Sequence, residues 1–126
     1  MDVRSAMVAA LLFSVGGVAG ASDVTLHLKG EGTFERKTVK YQCDANGVKA
    51  GLPAGVFGVE YVNGTNNQLA LVPVKGNTMI FVTVPSASGA KYEAKEFVWW
   101  EAGGRGTTFE SGFPGPKVSS ECKEVQ

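Results

Sequence analysis

Residues 56–74 read VFGVEYVNGTNNQLALVPV. Phe57, Val59 and Tyr61 recur at every second position, the period that lays apolar side chains on one face of an extended strand. Asn63-Gly64 then opens a short polar tip that runs to Asn67, a tight-turn signal. The apolar run resumes at once in NQLALVPV, residues 67–74, so the stretch reads as a β-hairpin.

The same texture extends in both directions. Upstream, residues 38–43 (TVKYQC) place Val39, Tyr41 and Cys43 on one face. Downstream come residues 77–85 (NTMIFVTVP), a stub around residues 90–92, and then residues 96–102 (EFVWWEA), 106–111 (GTTFES) and 117–123 (KVSSECK). Turn signals separate them at Lys75-Gly76-Asn77, at Gly103-Gly104 and in GFPGP, residues 112–116. No helical period of useful length interrupts this series. About eight short strands in one domain indicate an antiparallel barrel or a sandwich. The barrel is preferred, because closure removes exposed strand edges and eight strands enclose about the width that side chains can fill.

The chain opens with MDVRSAMVAALLFSVGGVAGAS. Arg4 precedes an apolar run from Ala6 to about Ala19, and Ala19-Gly20-Ala21 supplies a small-residue cleavage site, so residues 1–21 read as a secretory signal cut after Ala21. The run is short for a spanning helix, which needs about 20 apolar residues, and no later segment is longer. A lipid-accepting cysteine at the cleavage point is absent, since the first cysteine is Cys43. The expectation is an exported, soluble protein without a membrane anchor, periplasmic in a Gram-negative host. Residues 22–32 read as a flexible leader and residues 33–126 as the barrel domain.

Losing 21 of 126 residues leaves 105, a single small domain with a marginal core. Cys43 and Cys122 are its two cysteines, and an exported even pair reads as one disulfide closing the barrel region. In the loop-entropy model so long a loop gives roughly 4 kcal/mol. His27 is the one histidine, so no zinc site and no other metal or cofactor is implied. Twelve Lys and Arg balance twelve Asp and Glu, and loss of Asp2 and Arg4 with the signal keeps the balance. Nucleic acid is therefore not an expected partner, because phosphate binding needs a surplus of cations on one face.

Candidate catalytic residues do not assemble. Ser88-Gly-Ala-Lys91 matches the S-x-x-K pattern of penicillin-recognising serine enzymes, but the helix and the S-D-N and K-T-G elements that accompany it there are missing. Glu93 and Glu96 alternate with Lys91 and Lys95 as solvated charges do. A triad fails because His27 lies in the leader. The sequence does not read as an enzyme. Trp99 and Trp100 must point to opposite faces of their strand, one serving the core and the other exposed or packed beneath a loop.

The residues that carry a resemblance are Tyr41-Gln-Cys43-Asp44, the strands around Val59-Glu-Tyr61 and Leu69-Ala-Leu71, the loop Ser86-Ala-Ser-Gly-Ala-Lys-Tyr92, the strand Phe97-Val-Trp-Trp100 and the final Cys122. Together they resemble the periplasmic and membrane-bound inhibitors of C-type lysozyme, the MliC/PliC group, over about residues 39–123. The resemblance implies an eight-stranded antiparallel barrel and a protein inhibitor whose serine-containing loop enters the lysozyme cleft. The absence of a lipid-accepting cysteine points to the periplasmic branch. The implied contact residues are Ser86, Ser88, Gly89, Lys91 and Tyr92, with Ala102 at the position where the family's second motif carries a lysine. Arg105, three residues on, is the cation available in place of that lysine, although a guanidinium is not interchangeable with an ammonium. An exposed tryptophan or strand edge would also suit a homodimer. The alternative reading is a small periplasmic barrel that binds a ligand or partner unrelated to lysozyme.

Overall fold

The computed structural model describes residues 22–126. The signal assigned to residues 1–21 lies outside them. Eight strands follow in chain order: β1 Glu35–Cys43, β2 Phe57–Asn63, β3 Gln68–Val74, β4 Asn77–Val84, β5 Ala90–Ala94, β6 Phe97–Glu101, β7 Thr107–Ser111 and β8 Val118–Glu124. Each pairs antiparallel with its sequence neighbours, and β1 pairs with β8 to close the barrel. Closure leaves no edge strand among the described residues, as the alternation of short apolar runs leads one to expect.

Register follows from the buried face. Val39 lies opposite Val59 and Tyr41 opposite Phe57, so the alternating residues of β1 and β2 meet inside. The interior is packed with Tyr41, Val59, Tyr61, Val72, Val74, Phe81, Tyr92, Phe97, Trp99 and Phe109. Trp99 is completely buried and is touched edge-on by Tyr41 at 5.0 Å and by Phe57 at 6.3 Å between ring centroids. Phe97 stacks on Phe109 at 5.4 Å. Aromatic bulk thus fills the lumen that a ligand-binding barrel would keep open. Cys43 and Cys122 face each other across the β1–β8 seam and are disulfide-bonded, so the bond fastens the closure itself.

Two features depart from the sequence reading. A five-residue helix, α1 Ala45–Lys49, follows β1 where no helix was expected. The Asp44 carboxylate caps it, with Oδ1 accepting from Asn46 N at 3.0 Å and Gly47 N at 3.2 Å. The same carboxylate accepts from Ser120 Oγ at 2.7 Å and Glu121 N at 3.0 Å, tying the helix to β8. The first strand begins at Glu35, three residues before the run read from Thr38. Residues 22–32 form no strand, yet Glu31 accepts from Asn66 N at 3.0 Å and Asn67 Nδ2 at 2.8 Å, so its carboxylate rests on the β2–β3 tip.

Because successive strands alternate in direction, the β2–β3, β4–β5 and β6–β7 connections all lie at one end of the barrel. Ser86, Ser88 and Gly89 fall on the second of these and Ala102 and Arg105 on the third, while Lys91 and Tyr92 lie in β5 beside them.

Candidate functional site

The β4–β5 connection, residues 85–89, is exposed throughout. Its shape is set locally. The Ser86 hydroxyl donates to the Ser88 carbonyl at 2.5 Å and accepts from the Ser88 amide at 3.3 Å, closing a tight serine turn. The Trp100 indole N–H, reaching over from β6, donates to the same Ser88 carbonyl at 2.9 Å. Both backbone polar groups of Ser88 are thereby engaged within the protein. Its hydroxyl meets no partner among the described residues and faces solvent.

Gly89 is required where it stands. Its φ is +64°, and a Cβ there would overlap the Glu101 carbonyl oxygen and lie 2.9 Å from the Ala102 Cα. The loop base therefore sits directly on the end of β6. This contact brings the β4–β5 loop and the β6–β7 turn together. Ala102 opens that turn, with its amide donating to the Gly106 carbonyl at 3.0 Å, and a 3-10 turn, Gly103–Arg105, follows. Ala102 brings no charge. The Arg105 side chain is not among those described.

The other two residues separate across the β5 pleat. Lys91 points outward, with Nζ 5.6 Å from the centroid of the Trp100 ring and 4.0 Å from Glu93 Oε1. Tyr92 points inward, 4% exposed, and packs on Tyr61 at 5.7 Å between ring centroids. It shapes the barrel beneath the loop and not the loop surface. Trp99 and Trp100 divide in the same way, one into the core and one half-buried under the loop.

One element went unnoticed in the sequence. Trp99 Nε1 donates to Tyr61 Oη at 2.8 Å, Tyr61 Oη lies 2.8 Å from Tyr41 Oη, and Tyr41 Oη donates to Glu101 Oε1 at 2.9 Å. Indole has only a donor and carboxylate only acceptors, so each hydroxyl donates towards Glu101. Burial pushes the Tyr41 and Tyr61 hydroxyls well above the usual phenol range and raises that of Tyr92, and the Glu101 charge adds to it. Glu101 is thus held at both ends, its side chain by the tyrosines and its backbone by pairing with Ala90 and Thr107. Gly89 therefore rests on a residue tied to the barrel through both side chain and backbone.

Among the described residues, no nucleophile, base and carboxylate come together at this end of the barrel. What the described residues do present is an exposed loop tip, braced on β6, whose Ser88 hydroxyl has no partner among them. Comparison with known proteins identifies the family. The family model described as membrane-bound lysozyme-inhibitor of C-type lysozyme matches residues 41–112. A membrane-bound lysozyme inhibitor of C-type lysozyme from Pseudomonas aeruginosa is 40% identical over 101 residues, spanning 79% of this chain and 73% of that protein. One of the same description from Cupriavidus necator is 34% identical over 71 residues, spanning 56% of this chain and 50% of that protein. The crystal structure of Pseudomonas aeruginosa MliC in complex with hen egg white lysozyme superposes with a TM-score of 0.62 at 34% identity, covering 84% of this chain and 99% of that one. The matched region contains β2 to β7 entire, with the serine loop, the tryptophan pair and the Gly89–Glu101 contact, and on these grounds the chain belongs to the family of membrane-bound lysozyme inhibitors of C-type lysozyme.

Proposed function

We propose that this chain is an exported, periplasmic inhibitor of C-type lysozyme that places its β4–β5 loop in the enzyme's active-site cleft. The observation that carries the reading is the state of Ser88. Its backbone N–H and C=O are satisfied internally, while its hydroxyl is exposed at the tip of a loop braced on the barrel.

Lysozyme works with one protonated glutamic acid and one ionised aspartate on either side of the scissile bond. A hydroxyl both donates and accepts, so Ser88 can satisfy a carboxylate and a carboxylic acid without bringing a new charge into a desolvated cleft. Ser86 and Gly89 shape the tip, and Lys91 flanks it on the Trp100 side. The family's lysine is replaced by Ala102, so the complementary cation comes from Arg105 on the neighbouring turn. The chain acts by occlusion and not by catalysis. The family relationship and the signal read in residues 1–21 support a location in the cell envelope, where inhibition of lysozyme protects peptidoglycan.

The test is whether purified residues 22–126 suppress lysis of bacterial cells by hen egg white lysozyme. Dose-dependent suppression at a defined stoichiometry is expected; undiminished lysis at a large excess of the folded protein would overturn the reading.

A further inference from the structure

We propose that Trp100 is a positioning residue for inhibition, an outward-facing strut that presets the Ser88 loop before lysozyme arrives. The inference rests on the reading above and deepens it.

Strand alternation obliges one member of the Trp99-Trp100 pair to leave the core, and a large aromatic on an outer face needs a reason. Trp100 is only half-buried, and its N–H is directed at a single atom, the Ser88 carbonyl oxygen, at 2.9 Å. That oxygen also receives the Ser86 hydroxyl, so both its lone pairs are used. The indole is itself held in place. Lys91 lies directly across from Trp100 in the β5–β6 ladder and sets its ammonium over the ring. With Gly89 pressed on the Glu101 carbonyl, residue 88 is gripped from both sides, and its hydroxyl is the group left to point outwards.

A loop so gripped does not have to be ordered on binding, and ordering is a principal cost of association. The Ser88 carbonyl is fully occupied, so the Trp100 N–H contributes to inhibition through the loop and not by touching the enzyme. The two routes differ in a measurable way. Removing an N–H that acts through Ser88 matters only while Ser88 has a hydroxyl to position, whereas removing a direct contact matters in every background.

The experiment is a double-mutant cycle of Trp100→Phe with Ser88→Ala, read as inhibition constants against hen egg white lysozyme, with backbone order parameters for residues 86–89 measured on the free protein. Trp100→Phe alone should weaken inhibition roughly three- to tenfold, the range of one hydrogen bond, and lower the order parameters of Ser88 and Gly89 from about 0.85 towards 0.6. In the Ser88→Ala background it should change inhibition less than about twofold. Should Trp100→Phe disturb the fold, benzothienylalanine at position 100 removes the N–H at nearly constant ring size. Equal losses in both backgrounds, or unchanged loop order parameters in the folded variant, would overturn the proposal. If the wild-type chain does not inhibit, the lysozyme reading fails, and the order parameters alone then decide whether Trp100 holds the loop.

Discussion

Gly89→Ala puts the contact between the serine loop and the barrel to a direct trial. The new methyl would overlap the Glu101 carbonyl oxygen and stand 2.8 Å from its carbonyl carbon. Carbon atoms in good contact are about 3.5 Å apart, so the loop must retreat by about 0.7 Å from the carbon and by more from the oxygen. The left-handed conformation at φ +64° adds about 1–2 kcal/mol for any residue with a Cβ. Unrelieved overlap would cost about 1–3 kcal/mol more. Relief is available only by lifting the loop, which draws the Ser88 carbonyl away from Trp100. Gly76 provides the control, because its φ is +78° with nothing within 4 Å of a built Cβ, so Gly76→Ala carries the backbone strain without the collision. Thermal melts should show Gly89→Ala less stable than Gly76→Ala by about 1–3 kcal/mol. Displacements near 1 Å in a fitted site are worth up to about a hundredfold, so inhibition of lysozyme should fall roughly 10- to 100-fold for Gly89→Ala and stay near wild type for Gly76→Ala. Equal melting of the two variants, with inhibition by Gly89→Ala within about twofold of wild type, would refute the reasoning.

Three further outcomes are expected. Cys43→Ser or Cys122→Ser opens a bridge spanning 79 residues and should lower stability by about 2–5 kcal/mol in denaturant titrations. The Glu121 amide, followed by the Ser120 hydroxyl, holds the Asp44 carboxyl below its ordinary value. Its stabilising contribution is therefore complete above the unfolded value of about 3.9 and is lost as pH falls through the lower folded one, so the stability gap between wild type and Asp44→Asn should be flat near neutrality and shrink below about pH 4. All three tyrosines, Tyr41, Tyr61 and Tyr92, have raised hydroxyl values, chiefly through burial. They stabilise the neutral form below the unfolded value of about 10, and that stability is lost as pH rises beyond it, so tyrosinate absorbance should stay absent at about pH 10 and emerge together with unfolding.

How much of this was visible in the sequence depends on the range of the interactions. The alternation of Phe57, Val59 and Tyr61 is a property of consecutive residues, and it gave the buried face of β2 directly. The Trp99-Trp100 pair is resolved by the same period, which left only the choice of which ring goes inside. Helix α1 escaped because five residues make little more than one turn, too few to display a period; the one available signal was the capping aspartate at Asp44. In β5 only Tyr92 marks the inner face of a five-residue strand flanked by charges, so it read as part of the loop. The Trp99–Tyr61–Tyr41–Glu101 chain joins residues 20, 38 and 60 positions apart and exists only because closure sets β1, β2 and β6 around one lumen. The serine loop stood out through its own composition, whereas the Trp100 indole beneath it needed the fold.

The most direct measurement is the inhibition constant of Ser88→Asp against hen egg white lysozyme, with circular dichroism as the folding control. The side chain is exposed and forms no internal bond among the described residues, so the variant should fold as wild type does. In the cleft its carboxylate would face an ionised aspartate, and like charges about 4 Å apart at an effective dielectric of about 20 repel by about 4 kcal/mol, roughly a thousandfold in affinity. Loss of inhibition on that scale by a fully folded Ser88→Asp protein is the expected result. Inhibition equal to wild type would show that the loop does not enter the cleft.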